Sequence, residues 1–194
     1  MHGVRIATQT NLDTAAKVLA SAFADYPWTR WVLPADEYQE RLEEIQRLYL
    51  AHASENGIVV VDDRVRAVAA FLPPNAPAPS AALQQRVAEL HGSRLETLMS
   101  LELPQSPEGS WTFETVGVEP TQQGLGLGTA VLSHGLALID AHEATISLET
   151  SDERNVRLYE RLGFKTNDVT TIPNGPMVYS MARPTQSIQK TNQS

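Results

Sequence analysis

Cysteine is absent from the 194-residue chain. That excludes a disulfide framework, a thiol nucleophile and any covalent cysteinyl intermediate. Long apolar runs are missing too: none approaches the ~20 residues needed to span a bilayer. The opening segment, Met1 to Ile6, lacks the apolar core of a signal peptide, so a cytoplasmic protein with no membrane partner is expected. Basic residues are scarce, 15 Lys and Arg against 23 Asp and Glu, which leaves a formal net charge of −8. Nucleic-acid phosphates need Lys and Arg, so a nucleic-acid partner is disfavoured, whereas a cationic amine suits the sign. The five histidines, His2, His52, His91, His134 and His142, show no metal-ligand spacing. No metal is expected, and His134 reads as a buried helix residue.

What is present centres on Trp111 to Ala141. Trp111 to Val118 is rich in aromatic and β-branched residues, as a strand should be. Pro120 ends it, because proline cannot donate to a sheet ladder. Gly124, Gly126 and Gly128 follow at alternate positions. From Leu127 the apolar residues recur at helical spacing, with Ala130, Val131, His134 and Leu138 on one face and Leu132, Leu136 and Ile139 widening it. Strand, glycine turn and helix together aim bare backbone N–H groups and a helix N-terminus at an anion. Two familiar phosphate loops fail the test. A P-loop needs lysine after its last glycine, but Thr129 and Ala130 follow Gly128. A dinucleotide fingerprint needs Gly-x-Gly-x-x-Gly, and the last position falls on Thr129 or Val131.

The pattern that fits is Gln-x-x-Gly-x-Gly, carried by Gln123, Gly126 and Gly128. It resembles the pyrophosphate loop of the GNAT superfamily of acetyl-CoA-dependent N-acetyltransferases. Downstream, Tyr159-Glu160-Arg161-Leu162-Gly163-Phe164 is similar to the segment that closes a helix in the same superfamily. Gly163 suits a helix C-terminus, and Phe164 suits the start of a strand. Four further segments, at 22–30, 92–95, 115–118 and 148–155, resemble the puromycin N-acetyltransferase branch. Trp28, Trp31 and Glu114 depart from that branch, which reshapes any acceptor pocket.

The resemblance implies one GNAT domain over residues 1–183; residues 184–194 hold too few apolar residues to pack, and a disordered tail is expected there. Its fold is α/β (α+β): a central mixed, mostly antiparallel twisted sheet of six or seven strands. Helices cover both faces, and the sheet is splayed at the acetyl-CoA site. It implies acetyl-CoA as cosubstrate, a small-molecule amine such as puromycin or a related aminonucleoside as acceptor, and allows a homodimer. A peptide, a protein N-terminus or a biosynthetic intermediate is the alternative acceptor, and a CoA-binding module without turnover is a third reading. Backbone groups of Val116, Gly117 and Val118 would hold the pantetheine arm. Those of Gln123, Gly124, Leu125, Gly126, Leu127, Gly128 and Thr129 would hold the pyrophosphate. Tyr159 would be the general acid, unless it only packs. Either Glu114, on the parity of Val116 and Val118, or Glu149 would take the amine's proton, directly or through water, unless each is a strand-edge charge or part of a buried ion pair. Asn155 either contacts the pantetheine or caps its helix. Asp25, Tyr26, Trp28 and Trp31 border the acceptor or, alternatively, close the core.

Secondary structure is expected as a strand over 3–8, a helix to Phe23 broken by Tyr26-Pro27-Trp28, and a long helix over 37–55. A hairpin turns around Asp62-Asp63, and two short helices lie between Ser80 and Glu102. After the glycine turn and its helix come a strand over 145–149, a helix over 155–162, and two strands joined at Asn174-Gly175.

Overall fold

The computed structural model describes residues 3–185. Seven strands form one sheet, β1 Val4–Ile6, β2 Ile58–Asp62, β3 Ala67–Leu72, β4 Trp111–Val118, β5 Ile146–Thr150, β6 Lys165–Thr171 and β7 Met177–Arg183, in the order β1-β2-β3-β4-β5-β7-β6. Every neighbouring pair is antiparallel except β4 and β5, which run parallel. The mixed, mostly antiparallel sheet with helices on both faces is therefore as expected.

The helices are α1 Leu12–Ala22, α2 Pro27–Val32, α3 Tyr38–Asn56, α4 Ala81–His91, α5 Leu95–Met99, α6 Leu127–Asp140 and α7 Glu153–Arg161. Helices α1 and α3 cover one face of the sheet, where Leu12, Ala16 and Leu19 meet Leu50, Val59, Val61 and Val68. Helix α6 covers the other, packing Leu127, Val131, Leu132 and Ile139 on Val60, Ala69, Phe71, Phe113 and Ile146. Its buried edge runs through Leu127, Val131, Leu132, Gly135, Leu136 and Ile139, so His134 is half-buried on the flank rather than in the core. Gly135 is the point of closest approach: a Cβ there would lie 2.2 Å from the Phe71 ring. A third cluster, Val32, Leu33, Tyr38, Leu42, Ile45 and Leu90, fills the corner between α2, α3 and α4.

Pro27 does more than break α1. It occupies the first turn of α2, where a missing N–H costs nothing. Thr29 fastens that turn, its hydroxyl bonding the Phe23 carbonyl at 2.8 Å and the Tyr26 carbonyl at 3.0 Å. Of the tail expected to be disordered, 184–194, residues 186–194 lie outside the described residues; within it, Thr185 donates to the Glu143 carbonyl at 3.0 Å.

Candidate active site

The site begins where two strands part. β4 and β5 pair only at Trp111–Ile146 and Thr112–Ser147. From Phe113 onward β4 has β3 on one side and an open edge on the other. The Glu119 amide donates to the Arg66 carbonyl at 2.8 Å. Antiparallel ladders alternate, so the main-chain groups of Gly117 and Thr115 also face β3, and those of Val116 and Val118 face the opening. Of the three residues expected to offer main chain to a ligand, Gly117 is therefore occupied by the ladder. Its role is spatial: a Cβ at Gly117 would lie 2.7 Å from Leu19, so the missing side chain lets α1 settle on the strand.

Between Ala70–Thr115 and Phe71–Phe113 the β3–β4 register slips, leaving Glu114 as one extra residue. A bulge of this kind turns a side chain to the other face. The parity argument from the sequence fails for that reason. Val116 and Val118 pack on the core beneath α6, whereas Glu114 turns to the α3 side, where its charge acts on Tyr49. Glu149 shares that side, since its neighbour Leu148 belongs to the α6-side core. Both carboxylates line a cleft of about 540 Å³ at the mouth of the splay. Water in the cleft reaches Glu114, yet protein walls surround it, and the lost hydration pushes its pKa up to about 7. Burial raises Glu149 as well. Among the described residues no cation offsets either shift.

Tyr159 approaches the same cleft from α7. Its ring stands edge-on to Phe113, with centroids 5.4 Å apart. The residue is 5 % exposed, and its hydroxyl has no hydrogen-bond partner among the described residues. Burial raises its pKa above that of an ordinary phenol, helped by Tyr26 and Asp152, so the hydroxyl holds its proton at neutral pH. Asn155 also lines the cleft, and it is not the cap: the Asp152 carboxylate takes that place, accepting from the Arg154 amide at 2.8 Å.

The expected acceptor residues divide. Tyr26 and Trp28 line the cleft. The Tyr26 hydroxyl is engaged, 2.8 Å from Thr150 Oγ1 and accepting from the Ser151 amide at 2.8 Å, so it ties the α1–α2 corner to the end of β5. Asp25 points into solvent, paired with Arg30 at 3.1 Å, and is not a cleft residue. Trp31 packs on Trp28 and against the β6–β7 turn at Gly175, away from the cleft wall. Phe23, Tyr49 and His91 line the cleft and were not singled out from the sequence. Tyr49 reads there as one more member of an apolar helix stripe. The surroundings of His91 are set by residues distant in the chain.

At the other end of β4, Gly124 and Gly126 take φ of 78° and 79°, a region open to glycine at little cost. No atom lies within 4 Å of where either Cβ would be, so the loop presents bare backbone to an open notch. Gly126 precedes the first turn of α6, whose first internal bond runs from Ala130 to Gly126 at 3.0 Å. The amides of Gly126, Leu127, Gly128 and Thr129 consequently have no acceptor among the described residues. Gln123 differs from expectation. Its amide is turned to the Pro120 carbonyl, and its side chain bonds the Val118 carbonyl at 3.3 Å, so it braces the loop.

A splayed parallel pair, a β-bulge beside it and an amide-lined helix start make up this site. The model of the acetyltransferase (GNAT) family matches residues 20–164, which contain all three. The chain belongs to the GNAT acetyltransferase family. Solved acetyltransferases share its fold. One from Corynebacterium glutamicum, described as histone acetyltransferase HPA2 and related acetyltransferase, is 24% identical over 97% of this chain and 98% of its own, with a TM-score of 0.76. The ribosomal-protein-S18-alanine N-acetyltransferase of Escherichia coli is 17% identical, covering 98% of each chain at a TM-score of 0.57. A mosquito arylalkylamine N-acetyltransferase like 5b is 14% identical, covering 95% of this acetyltransferase and 100% of its own chain at a TM-score of 0.57. The family uses acetyl-CoA, and the bare amides and open strand edge of this acetyltransferase fit such a donor. Among the described residues no cluster of His, Cys, Asp and Glu could hold a metal, and no helix is long and apolar enough to cross a membrane.

Proposed function

We propose that this acetyltransferase moves an acetyl group from acetyl-CoA directly to the primary amine of a small molecule. The observation that carries the reading is the meeting of Tyr159, Glu114 and Glu149 in one cleft at the point where β4 leaves β5. When bound, acetyl-CoA supplies an activated acyl carbon. The amides of Gly126 to Thr129, with the N-terminal end of the α6 dipole, suit the negative charge of a pyrophosphate. Leu125 and Gly124 flank them, and Asn155, the open groups of Val116 and the Val118 amide would hold the pantetheine arm. Glu114, with a pKa near neutrality, is matched to taking a proton from an ammonium group, directly or through water. Glu149 stands ready for the same proton or holds the cation in place. Tyr159 keeps a proton at its hydroxyl for the departing sulfur. Phe23, Tyr26, Trp28 and Tyr49 give the acceptor an aromatic wall.

The test is release of free thiol from acetyl-CoA across a panel of amines that includes puromycin and aminonucleosides. Turnover with a small amine is the expected result. A peptide acceptor is the second reading, favoured by one observation. A hollow of about 490 Å³ under the Pro73–Pro79 segment adjoins the cleft and shares Tyr49, Ser106, Thr112 and Glu114 with it. Turnover with peptides but with no small amine would make that reading the correct one. No thiol release from either class would remove both.

A further inference from the structure

His91 ends α4 with its ring buried in the corner beside α2. Its Nδ1 lies 2.8 Å from the Val32 carbonyl oxygen. A carbonyl only accepts, so Nδ1 carries the hydrogen, and in the neutral ring Nε2 is left with a lone pair. The tautomer is thus fixed by a partner 59 residues away in the chain. Nε2 has no hydrogen-bond partner among the described residues. The residue nevertheless lines the cleft that holds Glu114, Glu149 and Tyr159.

The surroundings of His91 make this lone pair conspicuous. The corner beside it is built from Val32, Leu33, Leu42, Ile45 and Leu98, and Gln46 lines the cleft next to Ile45. Thr29 is there too, but its hydroxyl is already bonded to the Phe23 and Tyr26 carbonyls and accepts from Tyr38 at 3.0 Å. The carboxylates line the same cleft from different elements, β4 and β5. Among the described residues the buried unpaired side-chain atoms are Ser151 Oγ and Ser180 Oγ, not Nε2; Nε2 opens to the cleft, where a donor group of a ligand can reach it in place of water.

Building on the small-molecule reading above, we infer that His91 Nε2 accepts a hydrogen bond from a hydroxyl or N–H group at the end of the acceptor remote from its amine. The acceptor class is then narrower than a primary amine. It has an apolar or aromatic body with a hydrogen-bond donor at its far end, and His91 is a specificity-determining residue.

Matched amines test this with the full-length protein: tyramine, which carries a distal hydroxyl, against 2-phenylethylamine and 4-methoxyphenylethylamine, which carry no distal donor. Wild type should show kcat/KM roughly three- to tenfold higher for tyramine than for either partner, the worth of one hydrogen bond. In His91→Asn the side-chain amide can still donate to the Val32 carbonyl, but nothing replaces Nε2. The tyramine-to-phenylethylamine ratio should fall to about one, whatever the overall rate of the variant. Equal wild-type rates for the three amines, or a ratio that survives in His91→Asn, would overturn the inference. The wild-type comparison decides even if the variant fails to fold. If another amine of the panel proves to be the better acceptor, the same comparison is made on that amine with and without its distal donor. Failure of every small amine would instead bring down the small-molecule reading, and this inference with it.

Discussion

The glycine turn with the open β4 edge and the cleft beside it are built from different materials; on the function proposed above they are the donor and acceptor ends of the site. The donor end is main chain: unpaired amides at the start of α6 and the open edge of β4. The acceptor end is side chain: two unpaired carboxylates, an aromatic wall and a histidine of fixed tautomer. Main-chain recognition survives almost any substitution that keeps the backbone path, so a shared donor can be kept while the acceptor changes. Side-chain recognition is rewritten by single residues. The likeness in fold to acetyltransferases at 14–24% identity is what that division permits.

Removing one reacting group should have the largest effect. Tyr159→Phe keeps the ring against Phe113 and loses only the proton donor, so kcat should fall about 100-fold or more. The rise in melting temperature with acetyl-CoA should stay as in wild type. Unchanged kcat would strip the acceptor end of its acid.

Glu114→Gln should lower kcat/KM about ten- to hundredfold at pH 8. The wild-type profile should climb through a pH of about 7 as the carboxylate ionises, and the variant should be flat there. Stability moves in the opposite sense. Between the ordinary carboxyl value of 4.5 and about 7 the folded protein keeps a proton that the unfolded chain has lost, so stability falls as pH rises through that window. Thermal melts at pH 5 and pH 8 should show a smaller drop for the glutamine variant. A wild-type profile rising only near pH 4 would assign the proton to another group.

At the donor end a backbone change should matter and a side-chain change should not. Gly126→Val must hold a β-branched residue at positive φ, which costs about 1–3 kcal/mol. Space is not the obstacle, since nothing lies within 4 Å. Acetyl-CoA affinity by calorimetry should weaken about tenfold, while Thr129→Ala leaves it within about twofold. A large loss in Thr129→Ala would blur the division between the two ends. The smallest effect is expected at Asp25. Its ion pair with Arg30 lies in solvent, and Asp25→Ala should leave both turnover and melting temperature at wild-type values.

Much of the donor end was legible in advance because its determinants are local. Alternate glycines before an apolar helix can be read directly. So, in the cleft itself, can the tyrosine segment at the end of a short helix, because capping and periodicity act over a few residues. The acceptor end was legible only in part. Tyr26, Trp28, Glu114 and Glu149 line the cleft, while Asp25 and Trp31 do not. Adjacent residues on one short helix and its approach diverge by face, and which face is inward depends on α3 and the β6–β7 turn. Glu114 was expected in the cleft for the wrong reason. One residue of slip between β3 and β4 reverses every parity argument beyond it.

Local sequence specified most of the elements, though not α2, together with the glycine turn and the chemistry at hand: a phenol, carboxylates and no thiol. These follow from local backbone preference and from composition. Only the tertiary structure decided that β4 and β5 part after two residue pairs, that Glu114 bulges toward α3, and that His91 spends one nitrogen on Val32. Each of those depends on partners far apart in the chain, and packing rather than local preference brings such partners together.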